Sequence, residues 1–368
     1  MERYTLLVRP RHALAALFTS SALAACASAR APTSPSSATA ASAAAMPAPG
    51  PIARATNVAA LDADCIRCHA EAAATWRGSL HAQSFTDPVY QRSFALEPAR
   101  FCHDCHAPEQ TSAQHGIGCV TCHDPSGTGA VLAAPAGDAP RTDRTNAAHR
   151  VVRDARFAAE GACAGCHDFA FPDVEARGHD GARMQRTIDE HRVSRFSDRT
   201  CASCHMPKTT RGRSHAFTTA TDVAMLRRAL LVKAARRDGD RVELDLEPGD
   251  VGHAFPTGDL FRRLLVVAEV TAEDYRIVAR DERTLGRHFR FEPSASAGGA
   301  KVQREIGDDR IDRPRRVALD LGEPAKGHTI TWRIEYQRVE SMRGDHATIA
   351  DTIVVAKGLL EDPGGTNR

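Results

Sequence analysis

The chain has 368 residues and a formal net charge of +2, so its charge is nearly balanced and gives no reason to expect nucleic acid as a partner. That length allows one large domain or two ordinary ones. Aromatic residues are scarce, with 2 Trp and 4 Tyr, and a first half rich in Ala, Gly, Arg and Asp offers little material for an ordinary side-chain core.

Residues 1–25 have the pattern of an export signal. The basic residues Arg3, Arg9 and Arg11 precede a run of apolar or small residues over 13–25. This run is too short to be a good membrane span. We therefore predict a signal peptide and an exported protein.

The signal ends in Leu23-Ala24-Ala25-Cys26, which resembles the lipobox of bacterial lipoproteins. The resemblance implies that Cys26 is lipidated and tethers the protein to a membrane surface. Ala27 follows the cysteine, which by analogy favours sorting to the outer membrane of a two-membrane bacterium. A plain signal peptide cut at an Ala-x-Ala site is the alternative. Residues 26–57 are mostly Ala, Ser, Pro and Thr, and we interpret them as a disordered linker.

The other ten cysteines form five Cys-x-x-Cys pairs, and each pair is followed at once by a histidine. The motif starts are separated by 37, 17, 44 and 38 residues, so they do not form a regular repeat. The cysteines are Cys65, Cys68, Cys102, Cys105, Cys119, Cys122, Cys163, Cys166, Cys201 and Cys204. The histidines are His69, His106, His123, His167 and His205.

Cys-x-x-Cys-His is the attachment pattern of c-type haem. Its two thiols form thioether bonds to one porphyrin, and the histidine becomes the proximal iron ligand. Zinc and iron–sulfur sites use Cys-x-x-Cys without requiring this histidine, and a disulfide is an alternative for a single pair in an exported protein. Five identical motifs predict five covalently bound haem c groups, each with an iron.

Between the motifs, the sequence predicts short helices around 70–80, 88–97 and 180–197, and a Gly/Pro/Asp loop over 124–145. We expect the porphyrins to form the core of this domain, residues 58–222, so that the apoprotein does not fold. The 17-residue spacing of the second and third motifs also predicts a tightly packed haem pair.

The chain changes character after about residue 225, where cysteines end and β-type runs begin. Alternating apolar residues and turn signals predict about seven antiparallel strands in a β-sandwich-like domain, residues 223–368. The predicted strands include 228–236, 241–247, 263–271, 315–321, 328–338 and 350–356. The expected fold class is therefore α+β, with a haem-packed N-terminal domain followed by an antiparallel β-sandwich-like domain.

An electron-transfer haem normally has a second axial ligand, His or Met. Five of the remaining histidines have the best context, one for each iron, which predicts five six-coordinate haems. These distal candidates are His81, His115, His149, His215 and His253. His103 is a weaker candidate, and we expect His288, His328 and His346 on the surface of the β domain. Met184, Met206 and Met225 are alternative ligands, although Met more often serves packing.

Several short runs, spread over about residues 60–270, are similar to segments of multihaem cytochromes, among them the nitrifier tetrahaem electron carrier and the pentahaem nitrite reductases. The runs are Trp76-x-x-Ser79-x-His81, Met184–Thr187 with Glu190, Cys201–Lys208, Ser214–Phe217 and Gly252–Gly258. The resemblance implies distal ligands at His81 and His253. In the pentahaem nitrite reductases the catalytic haem usually has Lys in place of the motif histidine, whereas all five motifs here end in His.

This difference favours an electron carrier, exchanging electrons with redox partner proteins in the periplasm or at the outer membrane. Two alternatives stay open. The chain could be a multihaem reductase of a small nitrogen or sulfur oxyanion, which needs one iron with an open position. It could also be a scaffold whose β domain docks a partner.

Overall fold

The computed structural model describes residues 57–109, 112–135, 148–172, 179, 182–219, 221–294, 298–343 and 346–362, which all belong to one compact unit. The predicted signal peptide, Cys26 and most of the predicted linker therefore lie outside the described residues. Within the described residues, no helix is both long enough and apolar enough to span a membrane.

The N-terminal region, to about residue 222, is built from short helices joined by loops. Side-chain caps start several of them: Asn57 accepts a hydrogen bond from Ala59 N at 2.9 Å, and Asp87 accepts one from Val89 N at 3.2 Å. The described helices are α1 (Val58–Cys68), α2 (Ala70–Arg77), α3 (Pro88–Leu96), α4 (Cys102–His106), α5 (Cys119–His123), α6 (Ala155–Ala158), α7 (Gly161–His167), α8 (Thr187–Arg192), α9 (Cys201–His205) and α10 (Val223–Arg228).

Three two-stranded sheets lie between these helices. They pair β1 (Ala130–Ala133) with β2 (Arg150–Arg153), β3 (Asp168–Ala170) with β4 (Arg183–Arg186), and β5 (Lys208–Thr209) with β6 (Gly212–Arg213). The helix predicted around 180–197 is confirmed only in part: Thr187–Arg192 form α8, whereas Arg183–Arg186 form strand β4. The helices predicted around 70–80 and 88–97 are confirmed as α2 and α3.

The C-terminal region is made of antiparallel strands. They are β7 (Leu230–Arg237), β8 (Arg241–Pro248), β9 (Arg262–Thr271), β10 (Ile277–Leu285), β11 (Arg287–Pro293), β12 (Lys301–Asp308), β13 (Arg315–Asp320), β14 (Ile330–Arg343) and β15 (His346–Leu360). The strand order is β10-β9-β14-β15 in a four-stranded sheet and β13-β8-β7 in a three-stranded sheet, and β11 pairs with β12.

The three- and four-stranded sheets face each other across one apolar core. Val242, Leu244 and Leu246 alternate along β8 and are fully buried, and they share a cluster with Leu264 of β9 and Ile334 of β14. This is the period-2 pattern of a strand with one face in the core. The predicted antiparallel β-sandwich-like region is confirmed. The hairpin β11–β12 and strand β10 had not been predicted, because nearly half of their residues are charged.

The N-terminal region has no comparable side-chain core among its described residues. Its buried apolar side chains are few, and several are alanines. They are Val58, Ala73, Tyr90, Ala107, Ile117, Ala164, Phe171 and Ile188. Apolar side chains therefore pack mainly in the β region. Among the described residues, the helices around the motifs have no apolar side-chain core of their own.

Candidate metal centres

Every Cys-x-x-Cys-His motif lies at the C-terminal end of a helix. Helices α4, α5, α7 and α9 each end at the motif histidine, and α1 ends at Cys68 with His69 as its C-cap. Cysteines three positions apart lie on the same face of a helix. Each motif therefore presents two thiols to one side, with the histidine following directly.

Four motif histidines are oriented by a hydrogen bond from Nδ1 to an oxygen acceptor. The acceptors are Ser84 O for His106 at 2.9 Å, Leu132 O for His123 at 2.8 Å, Gln185 Oε1 for His167 at 3.1 Å and Thr218 O for His205 at 2.6 Å. A carbonyl oxygen can only accept, so Nδ1 carries the proton. Nε2 is then left with its lone pair, as metal-ligating histidines require.

Four of the five motif histidines face a second histidine ring. The ring centres are 6.2 Å apart for His69 and His149, 6.2 Å for His81 and His167, 6.3 Å for His123 and His215, and 6.3 Å for His205 and His253. The angles between the ring planes are 40°, 58°, 37° and 13° respectively. The pairs join residues far apart in the sequence, so the fold itself sets their spacing.

This spacing fits a metal ion between the two rings. A metal–nitrogen bond of about 2 Å on each side, and about 1.1 Å from each nitrogen to its ring centre, place two coordinated imidazoles roughly 6.2 Å apart. Direct ring packing would allow closer contact, as in the 4.0 Å stack of Tyr90 on His106. The four pairs could therefore each hold one metal ion with two axial imidazoles.

The small sheets position several of these histidines. His149 directly precedes β2, whose partner β1 provides the carbonyl of Leu132 that orients His123. Gln185, which accepts a hydrogen bond from His167, lies on β4. The backbone carbonyl of Arg213, on β6, accepts a hydrogen bond from His215 Nδ1 at 3.0 Å. Strands β1 and β2 thus connect His149, the second ring of one pair, to His123, the motif histidine of another.

Burial keeps the second rings of two pairs uncharged. Together with a smaller effect of neighbouring histidines, it lowers the pKa of His81 to about 3 and that of His253 to about 4. The carbonyl of Ala254 accepts from His253 Nδ1 at 3.0 Å. Both rings are therefore neutral near pH 7, the form that binds a metal ion.

His106 has a different environment from the other four motif histidines. Tyr90 stacks on its ring at 4.0 Å and 8°, and Phe94 stacks on the nearby His103 at 4.5 Å. Among the described residues, no histidine ring faces His106 at the spacing of the four pairs. The remaining candidate His115 lies elsewhere.

His115 donates from Nε2 to the buried carboxylate of Asp62 at 2.6 Å, and its ring packs against Trp76. The same carboxylate accepts from Cys119 N and Val120 N, both at 3.0 Å, and so caps the start of α5. This placement differs from the expected axial position. The physical reason is that Asp62, which the sequence alone did not single out, provides a buried charged partner for the ring.

Thiols of different motifs also lie beside one another. Cys65 of the first motif neighbours Cys119 of the third, Cys105 of the second neighbours Cys166 of the fourth, and Cys163 of the fourth neighbours Cys201 of the fifth. None of the ten described cysteines forms a disulfide. In the part of the chain that the structure describes, no three His, Cys, Asp or Glu side chains converge as a metal cluster.

One solved structure shares this architecture over most of the chain. It is a pentahaem cytochrome c552 from Thermochromatium tepidum, which aligns with 80% of this chain and 97% of its own, with a TM-score of 0.61 and 18% sequence identity. The chain has a multihaem cytochrome c-like fold.

Other comparisons add nothing to this likeness. A β-glucuronidase of glycoside hydrolase family 2 and a family 2 glycosyl hydrolase from Bacteroides cellulosilyticus match 37% and 36% of the chain, with TM-scores of 0.16 and 0.14 and 7% identity each. These scores are too low to carry an argument. No protein-family model and no curated protein sequence matches the chain.

The structure also shows the surroundings of other residues that the sequence analysis considered as iron ligands or as surface histidines. Met184 packs in a small apolar cluster around Phe171, Leu260 and Phe289. His288 donates to Asp309 at 2.8 Å, and His328 is exposed. Sequence reasoning missed Asp62, Gln185 and the Tyr90 stack, because only the fold brings these side chains to the motifs.

Proposed function

We propose that the chain is an electron-transfer cytochrome that binds five haem c groups through its five motifs. The observation that carries this proposal is the set of four histidine pairs at 6.2–6.3 Å, each with a motif histidine on one side. In each pair the motif histidine is the proximal ligand and its partner the distal ligand. The distal ligands are then His149, His81, His215 and His253 for the first, fourth, third and fifth haems.

Bound haem supplies an iron that cycles between ferric and ferrous states. The protein's part is to fix both imidazoles, exclude water and set the hydrogen bonds to the ligands. Two axial histidines leave no position for a substrate. Four of the five sites are therefore built to pass electrons rather than to perform chemistry on a substrate.

The contacts between motifs support a connected route for the electrons. The first motif adjoins the third, and the fourth adjoins both the second and the fifth. Electrostatic interaction of Cys122 with Cys163 and Cys166 links the third motif to the fourth. The attachment edges of all five haems are thus connected, with the fourth at the branch point. These neighbouring motifs do not include the second with the third, so the haem pair expected from their 17-residue spacing stays a prediction.

The first experiment counts the cofactors. The protein is purified from a host that matures c-type cytochromes, and its intact mass is compared with that of the sequence. We expect five added haem masses that survive denaturation, since thioether bonds are covalent. A mass without haem would refute the proposal.

A second candidate function rests on the environment of His106. Because no described histidine faces it, the second haem could bind a small ligand, as a reductase of a nitrogen or sulfur oxyanion requires. Asp259, Asp87 and Arg262 act electrostatically on this imidazole and would give the site its charge. Substrate-dependent reoxidation of the reduced protein, together with a high-spin ferric signal, would favour this function over a pure carrier.

We also propose that the protein is exported and anchored to the outer membrane through Cys26, where it meets its redox partner proteins. The support is the signal and lipobox-like sequence at the N-terminus. Globomycin treatment of producing cells tests this, since blocking lipoprotein signal cleavage should leave a larger precursor. Processing that is unaffected by the inhibitor would contradict the anchor.

A further inference from the structure

The turn that carries His253 is fixed by side chains from both regions of the chain. Residues 252–258 read Gly-His-Ala-Phe-Pro-Thr-Gly, and Thr257 Oγ1 donates to Glu190 Oε2 at 2.5 Å. Glu190 lies on α8 of the N-terminal region, and Thr187, one turn earlier on the same helix, lies 3.0 Å from the Thr257 hydroxyl. Helix α8 is therefore hydrogen-bonded to the turn at Thr257, four residues after His253.

Arg310 completes this arrangement from the β region. Its guanidinium donates to Glu190 Oε1 at 2.6 Å and to Pro256 O at 3.1 Å, while Asp308 accepts from it at 2.8 Å. The Arg310 side chain is only 3% exposed and that of Glu190 11%. Charge-assisted hydrogen bonds in such a buried place are strong and directional.

The backbone on either side is held too. Phe255 and Ile311 exchange two hydrogen bonds, of 3.0 and 2.9 Å. Gly252 packs against His191 and Phe196 so closely that a Cβ would lie 3.2–3.3 Å from their side chains. The backbone is therefore fixed on both sides of His253. Its imidazole donates from Nδ1 to Ala254 O, and the ring plane lies only 13° from that of His205, against 37–58° in the other three pairs.

We infer that Glu190, Thr257 and Arg310 are positioning residues that set the ring plane of His253 and thereby the electronic state of the fifth haem. The inference rests on the proposed function, since it requires iron between His205 and His253. The relative orientation of two axial imidazoles decides how the iron d orbitals split. Nearly parallel rings give a rhombic low-spin ferric signal, and strongly twisted rings give an axial one.

The same segment also serves the neighbouring site. Gln185, five residues before Glu190, holds His167 of the fourth motif. The stretch from β4 into α8 thus positions one axial imidazole in each of two adjacent sites, the fourth and the fifth. Because Gln185 lies on β4 and Glu190 on α8, a change at Glu190 or Thr257 should reach the fifth haem and leave the fourth unchanged.

The test uses the holoprotein and two substitutions that leave the histidines in place. Thr257→Val removes the hydroxyl but keeps the shape and the Glu190 charge, and Glu190→Asp keeps the charge but shortens the reach. The matched control is Glu340→Gln, because Glu340 also joins the two regions, through Arg92 at 2.6 Å, but its carboxylate pairs with α3 and not with α8 or the turn at 252–258. Haem content is first measured to be five per chain in every variant.

In both Thr257→Val and Glu190→Asp, we expect the rhombic low-spin signal of one haem in five to move towards the axial type. The midpoint potential of one haem should shift with it, while the other four stay unchanged. The control should show the wild-type spectrum. Unchanged spectra in both test variants, or the same change in the control, would overturn the inference. Absence of haem from the wild-type protein would instead refute the proposed function.

Discussion

Asp62 is the side chain whose removal should destabilise the N-terminal region most clearly. Its carboxylate is completely buried and accepts three hydrogen bonds, from Cys119 N, Val120 N and His115 Nε2. Through them, helix α1 with the first motif is joined to helix α5 with the third. A Cβ at the neighbouring Gly118 would lie 2.0 Å from this carboxylate, so the two chain segments are in tight contact.

The magnitude follows from the number and type of these bonds. A hydrogen bond to a charged group contributes about 1.5–3 kcal/mol, and buried donors left unpaired add a desolvation cost. Asp62→Ala should therefore lower the free energy of unfolding by about 4 kcal/mol. Asp62→Asn keeps the shape and part of the acceptor capacity, so we expect about 2 kcal/mol.

The matched control is Asp64→Ala on the same helix. Asp64 pairs with Arg67 at 2.8 Å, but both side chains are largely exposed, at 69% and 76%. Exposed ion pairs contribute about 0–1 kcal/mol. Urea unfolding of the three holoprotein variants, followed by circular dichroism, gives the comparison. If Asp62→Ala is no more destabilising than Asp64→Ala, the role assigned to Asp62 is wrong.

Three further predictions concern the pairs, the core and the interface. His215→Ala should convert one low-spin ferric haem to high spin in the oxidised spectrum, whereas His328→Ala, at an exposed position, should leave it unchanged. Protein produced without haem should keep the strand signal of the β region in circular dichroism but lose the helical signal. The reason is that, among the described residues, the β region alone has a large side-chain core. Loss of both signals, as expected from the sequence, would contradict this. Burial alone would raise the pKa of Asp308, but hydrogen bonds and attraction from Arg310 lower it to about 2. Since this folded-state pKa lies below the unfolded value, the ionised Asp308 stabilises the fold above about pH 4, and this stabilisation disappears as the pH falls towards 2. The urea midpoint measured from about pH 5 to 2.5 should therefore fall less steeply with pH in Asp308→Asn than in the wild type. Equal slopes would contradict the assignment.

The motifs could be predicted from the sequence because their chemistry is local. Two thiols and an imidazole within five residues need no tertiary contact to be recognised. The β region was also predictable where apolar residues alternate, as at Val242, Leu244 and Leu246. Strand β10 was missed because five of its nine residues are exposed and four are charged, so no clear apolar alternation marks it.

The second ring of each pair was harder to predict, because it is selected by tertiary packing. Short spacing and local turns gave His81, His149, His215 and His253 their context, and the structure brings all four to motif histidines. The same reasoning selected His115, yet a buried carboxylate 53 positions earlier binds it instead. No sequence feature near His115 signals that partner. Glu190 and Arg310 are separated by 120 positions and likewise meet only in the fold.

The central claim is that each of the four histidine pairs holds one iron. Quantitative electron paramagnetic resonance of the fully oxidised holoprotein tests it most directly, because it counts irons by their ligands. We predict four low-spin ferric haems per chain with two imidazole ligands, one of them distinctly rhombic, and a fifth haem with a different signal. Fewer than four such low-spin haems in a protein that carries five would contradict the account.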